Sequence, residues 1–149
     1  MTRSHRPITI LLVDDDPDDR YLTQEALKEG RLVNAVFEAV DGEDALAFLR
    51  REGEHTNAPR PDLVLLDLNM PRKNGCETLA EIKGDPDLQS IPVIVLTTSK
   101  ADEDIFRSYD LGANSFITKP VGFDSFTQVM RDLSRYWFQI VDLPRRDHV

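Results

Sequence analysis

The sequence is poor in the residues that staple, ligate or anchor a chain. Cys76 is the single cysteine among 149 residues, so neither an internal disulfide nor a cysteine-based zinc site can form, and nothing calls for an oxidising compartment. Histidine is almost as scarce: His5, His55 and His148 fall in arms or loops and suggest no site. Long apolar runs are missing too. Before the first charged cluster the longest is Ile8 to Val13, too short for a signal-peptide core, and no later run approaches the ~18 residues of a membrane span. The expectation is a soluble, cytoplasmic protein. Basic residues number 18 against 27 acidic ones, and the formal charge of -9 opposes unassisted binding to nucleic acid or to an anionic membrane. No internal repeat or low-complexity segment is present.

What the chain does have is apolar runs that end on carboxylates. The length fits one domain with a substantial core. Leu63-Val64-Leu65-Leu66 carries no polar alternation, the habit of a strand buried on both faces of a parallel sheet, and it ends on Asp67. Ile8 to Val13 reads as a first strand ending on Asp14-Asp15-Asp16. Asp16 as N-cap and Pro17 at the first helical position, with Asp18 and Asp19 in the first turn, open a helix through about Lys28. Val33 to Val40 reads as a second strand, followed after Asp41-Gly42 by a helix bearing Ala45, Leu46, Phe48 and Leu49. Glu52 to Pro61 is polar and reads as a loop. Asn74 to about Lys83 reads as a short helix, and Cys76, near its start, as bystander packing. Pro92 to Leu96 reads as a fourth buried strand, Ala101 to Leu111 as a fourth helix, Ser115 to Thr118 as a fifth strand. The last helix carries Phe123, Phe126, Met130, Leu133, Trp137 and Ile140 as a core-facing stripe. Strands alternating with helices imply right-handed crossovers and a doubly wound parallel α/β sheet.

The strand ends then converge. Asp14, Asp15 and Asp16 follow the first strand, Asp67 the third, Thr97 and Thr98 the fourth, Lys119 the fifth, and in an open parallel sheet these ends share one rim. Carboxylates brought together repel unless a cation joins them, and an oxygen-only donor set suits Mg²⁺. Cation, lysine and hydroxyl together describe a cradle for a transferred phosphoryl group, with Asp67 as the attacking carboxylate.

This constellation resembles the receiver domain of two-component response regulators over roughly Ile8 to Pro144. Asp14 and Asp15 match the family's acidic pair, Asp67 its phosphoacceptor, Thr97 its switch hydroxyl, Phe116 its switch aromatic, and Lys119-Pro120 its lysine and following proline. The resemblance implies a flavodoxin-like sheet of five parallel strands in the order 2-1-3-4-5, with an arm over 1–7, a receiver domain over 8–137 and an extension over 138–149. It implies Mg²⁺ held by Asp15, Asp67 and the backbone carbonyl of Asn69, with Asp14 acting through water, a phosphoryl group bound by Thr98 and Lys119, and a cis bond between Lys119 and Pro120. Phe48 to Glu54, Pro59 to Pro61, Leu96 to Ser99 and the tail Tyr136 to Pro144 look like the single-domain regulators paired with phytochrome histidine kinases. Two positions depart from the family. Thr98 stands where receivers carry a small residue, which is expected to slow access to the phosphoryl site, and Phe116 lacks a ring hydroxyl, so only its packing can report.

The function implied is a phosphoacceptor switch that promotes its own phosphorylation and dephosphorylation and turns over no separate substrate. Asp67 receives a phosphoryl group from a sensor histidine kinase, and Thr97 and Phe116 move with it. A Mg²⁺-dependent phosphatase or mutase with an aspartyl-phosphate intermediate is the alternative; it needs a second acid two residues after the nucleophile, where this chain has Asn69. A receiver-like scaffold that accepts no phosphate is disfavoured because every chemical position is filled. No output domain follows the last helix, so output is expected through a partner or through assembly. Val129 and Tyr136 widen the last helix's stripe, and Trp137, Phe138, Ile140, Val141 and Leu143 prolong it. A homodimer through the fourth helix, fifth strand, last helix and tail is therefore expected.

Overall fold

The computed structural model describes residues 9–29, 35–68, 75–97, 112 and 115–119. Five strands, β1 (Thr9–Val13), β2 (Ala35–Ala39), β3 (Leu63–Asp67), β4 (Val93–Thr97) and β5 (Ser115–Thr118), form one sheet in the order β2-β1-β3-β4-β5. Every pairing is parallel, with Val13 beside Leu66, Asp67 beside Leu96 and Thr97 beside Thr118. Among the described residues three helices, α1 (Pro17–Glu29), α2 (Gly42–Arg50) and α3 (Gly75–Gly84), lie between the strands. The doubly wound α/β fold and its strand order are as expected.

Burial explains why the apolar runs are unbroken. Leu11, Val13, Val64, Leu66, Val93 and Val95 cluster with Phe48, Leu79 and Ile82 from α2 and α3. The alternate residues Ile10, Leu12, Leu65, Ile94 and Leu96 project to the other face and are equally inaccessible to solvent. Both faces of the sheet are covered, which leaves no position in β3 or β4 for a polar alternation.

Helix starts follow from capping chemistry. Asp16 Oδ1 accepts the Asp18 amide at 2.8 Å and the Asp19 amide at 3.4 Å, and Asp41 Oδ1 accepts the Asp44 amide at 2.8 Å, each satisfying donors that the first helical turn leaves over. At the other end of α2, Arg51 adopts the left-handed conformation and its amide returns to the helix's last carbonyls.

Three boundaries differ from the sequence reading. The second strand stops at Ala39, one residue short of Val40, because the Val40 amide donates to Asp44 Oδ2 at 3.1 Å instead of continuing along the strand. The fourth strand starts one residue later than read, at Val93, and runs one residue further, to Thr97. The 52–61 loop holds a 3-10 turn, Gly53–His55, which folds back so that His55 Nε2 lies 2.7 Å from Asp44 Oδ1 and its ring sits 5.3 Å from that of Phe48. His55, read as an idle loop residue, thus ties the loop to α2. No helix among the described residues is long and apolar enough to cross a membrane. The arm over 1–7, the fourth and last helices, the 138–149 extension and the Lys119-Pro120 bond lie outside the described residues.

Candidate functional site

The rim is built by ladders that run one residue past the strands. The Asp14 amide donates to Ala39 O at 3.1 Å, the Leu68 amide to Leu96 O at 2.9 Å, and the Lys119 amide to Thr97 O at 2.8 Å. These bonds fix the backbone on which the expected site residues stand, so their side chains meet without relying on loop conformation.

Asp14, Asp15 and Asp67 come together there. One carboxylate oxygen from each lies within 4.8 Å of the others. Asp14 and Asp67 are buried and Asp15 is exposed, so the cluster opens to solvent on one side. Lys119 Nζ sits among the acids, 2.8 Å from Asp14 Oδ2, 3.0 Å from Asp19 Oδ2 and 3.3 Å from Asp67 Oδ1. Burial by itself would lower the Lys119 ammonium, but its close contacts with Asp14 and Asp19 and the charges of Asp67 and Asp14 outweigh burial and raise it above the ordinary lysine value. The amine therefore stays a cation at any physiological pH. Thr97 is buried at the end of β4. Phe116, on β5 beside Val95, is half-buried and packs against the core cluster. Asn69 and Thr98, both assigned roles in the site from the sequence, lie outside the described residues.

The donors fit a hard divalent cation. All are carboxylate oxygens, with no nitrogen or sulfur among them. Asp14 Oδ1 is engaged by the Asp16 amide at 3.0 Å. Asp14 Oδ2 is buried without a well-directed hydrogen bond, despite its short contact with Lys119. An oxygen in that condition suits a water held by a cation. Asp16 is spent on capping α1 and is absent from the acidic cluster.

One residue escaped the sequence reading. Asp19, assigned only to capping and the helix dipole, is a direct partner of Lys119. The Asp16-Pro17 start fixes the first turn of α1 at the rim, and Asp19 lies three residues after the cap; that spacing was the available signal.

Comparison with known proteins identifies the family. Residues 10–131 match the response regulator receiver domain. Response regulator Rcp1 of Synechocystis sp. is 44% identical over 141 residues, covering 95% of this chain and 96% of that protein. Among solved structures, the bacteriophytochrome response regulator AtBRR superposes with a TM-score of 0.81 at 44% identity, over 87% of this chain and 94% of that one. The phosphorylated cyanobacterial phytochrome response regulator RcpA superposes with a TM-score of 0.74 at 47% identity, over 93% and 99%. Rcp1 has also been solved in a Mn²⁺-bound form, with a TM-score of 0.73 at 46% identity, over 93% of this chain and 99% of that one. Matched in sequence along most of its length and in the geometry of its sheet, the chain belongs to the response regulator receiver domain family and is similar to the phytochrome response regulators.

Proposed function

We propose that this protein is a phosphorylation-dependent signalling switch in which Asp67 accepts a phosphoryl group from the phosphohistidine of a phytochrome-type sensor kinase. One arrangement carries the reading: a buried carboxylate at the end of β3 stands 3.3 Å from Lys119 Nζ and within an acidic triad open to solvent through Asp15. In the transfer, an Asp67 oxygen forms the bond to phosphorus as the bond between phosphorus and imidazole nitrogen breaks, and the imidazole leaves on the kinase. Lys119 donates to the phosphoryl oxygens as charge develops on them, and the Thr97 hydroxyl serves as a second donor. Asp15, Asp67 and the Asn69 carbonyl, with Asp14 through water, would hold Mg²⁺. That ion supplies the positive charge that lets a carboxylate and a phosphoryl group approach. Thr98 would line the same pocket.

The resulting acyl phosphate biases a two-state surface through Thr97 and the packing of Phe116. The protein is in this reading a cytoplasmic phosphoacceptor that promotes its own phosphorylation and dephosphorylation, and not an enzyme with a separate substrate. Its output face is a homodimer surface made of the fourth helix, β5, the last helix and the tail. Relatives named for phytochromes support the choice of kinase. The test is intact-mass analysis after incubation with Mg²⁺ and acetyl phosphate: wild type gains one phosphoryl group and Asp67→Asn gains none. A persistent adduct on Asp67→Asn overturns the assignment.

A further inference from the structure

Around the rim, four residues close a ring of contacts that the phosphoacceptor chemistry above does not by itself require. Asp14 Oδ1 accepts the Asp16 amide at 3.0 Å, Asp16 Oδ1 accepts the Asp19 amide at 3.4 Å, Asp19 Oδ2 accepts from Lys119 Nζ at 3.0 Å, and Lys119 returns to Asp14 Oδ2 at 2.8 Å. Within the ring the two carboxylates that meet Lys119 differ in kind. The contact with Asp14 is short but poorly directed, while the contact with Asp19 is a formed hydrogen bond. The third carboxylate, Asp67, stands furthest from the amine, at 3.3 Å. Asp19 is excluded from the acidic cluster that fits a cation, so its carboxylate is directed to the lysine and not to the metal.

We infer that Asp19 is a positioning residue, a tether on the first turn of α1 that holds the Lys119 amine over the rim so that one of its donors remains aimed at the phosphoryl group on Asp67. An ammonium carries three donors on a flexible four-carbon stem. Asp19 fixes one direction by a formed hydrogen bond and the charge of Asp14 draws a second to the β1 side, which leaves the third toward Asp67. Without Asp19 the contacts left among the described residues are the poorly directed one with Asp14 and the longer one with Asp67, and the amine regains rotamer freedom that must be given up again in the transition state. The cap at Asp16 makes this possible, because it fixes the turn that presents Asp19.

The inference rests on the phosphoacceptor reading, and one set of measurements separates the two. Phosphorylation rates by acetyl phosphate with saturating Mg²⁺ are compared for wild type, Asp19→Ala, Asp19→Glu, Lys119→Ala and the double variant Asp19→Ala/Lys119→Ala, with circular dichroism melts to establish that each is folded. Asp19→Ala should be slower by about tenfold, the size of a lost charge-assisted hydrogen bond partly recovered through Asp14. Asp19→Glu, which keeps the carboxylate on a longer arm, should recover part of the rate. The double variant should be no slower than Lys119→Ala, because a tether has nothing to hold once the lysine is gone. In a Mg²⁺ titration Asp19→Ala should retain far more affinity than Asp15→Ala. Wild type left unlabelled at Asp67 overturns the phosphoacceptor reading and the tether with it. Labelled wild type with Asp19→Ala at an equal rate, with the full Asp19 effect persisting on the Lys119→Ala background, or with Mg²⁺ losses equal to those of Asp15→Ala, overturns the tether alone.

Discussion

Gly75 lies directly behind Asp67, the proposed phosphoacceptor. A Cβ built on it would stand 2.7 Å from the backbone oxygen of Asp67 and 2.8 Å from the Cα of Leu68, and its amide donates to Leu68 O at 3.0 Å. The neighbours it would strike are backbone atoms, which cannot rotate away as a side chain can. Gly75→Ala must therefore displace α3 from the end of β3. We expect a loss of about 1–3 kcal/mol in stability, the usual cost of overpacking, and slower phosphorylation of Asp67. Chemical denaturation and the acetyl phosphate assay read the two effects; an unchanged denaturation midpoint would show that the close approach is dispensable.

The acids at the rim divide by role. Asp15 is exposed, offers its carboxylate to the cluster with Asp14 and Asp67, and is the proposed direct ligand. Asp16 has its carboxylate committed to the α1 amides. Asp15→Ala should thus weaken Mg²⁺ binding by roughly tenfold or more, whereas Asp16→Ala should chiefly lower stability by about 1 kcal/mol through the lost cap. Equal affinity losses in a metal titration would show that both acids act on the cation.

How much of this was legible in the sequence depends on range. β3, β4 and their carboxylate and threonine ends were readable because burial on both faces forces an unbroken apolar run, and parallel strands place their ends together. The Asp16 cap was readable because capping is local. Asp19 and His55 were not, for a common reason: each acts on a partner that the fold brings close, Lys119 from 100 positions away and Asp44 from across a folded-back loop. First-turn acids and loop histidines have bland local explanations that sequence alone cannot set aside. The end of β2 was misplaced because the Asp44 carboxylate, not the strand pattern, decides where the Val40 amide goes.

Lys83 makes stability depend on alkaline pH. Its amine donates to Gln89 O at 3.1 Å and Ile91 O at 2.9 Å at the far end of α3, and burial lowers its ammonium below the ordinary lysine value. Just below about pH 10.4, the value an unfolded lysine keeps, the unfolded chain holds this proton more than the folded one. Raising pH through that window therefore favours the folded state. Lys119, whose ammonium is shifted upward, acts in the opposite sense there, since the unfolded chain begins to release that proton while the folded protein keeps it; this contribution is common to wild type and Lys83→Met and cancels in their difference. Subtracting the stability of Lys83→Met from that of wild type should give a difference that grows with pH in this window. A flat difference would mean that the Lys83 ammonium is not depressed.

His55 offers a test of how the loop after α2 is held. Its Nε2 lies 2.7 Å from Asp44 Oδ1, and its ring meets Phe48, itself 5.5 Å from the ring of Phe37 on β2. Asp44 keeps a second duty through its other oxygen, which accepts the Val40 amide and ends the strand. Removing the imidazole costs one partly exposed hydrogen bond and one aromatic contact, together about 1–2 kcal/mol. Removing the carboxylate costs that bond and also leaves the Val40 amide without its acceptor. Asp44→Ala should accordingly destabilise more than His55→Ala, and the double variant His55→Ala/Asp44→Ala should lose less than the two single losses combined, because both delete the same pair. None of these changes removes a group of the acidic cluster or Lys119, so phosphorylation of Asp67 should proceed at the wild-type rate in each folded variant. Full additivity in denaturant unfolding would show that His55 and Asp44 act independently, and that the loop is fastened by its Phe48 contact instead.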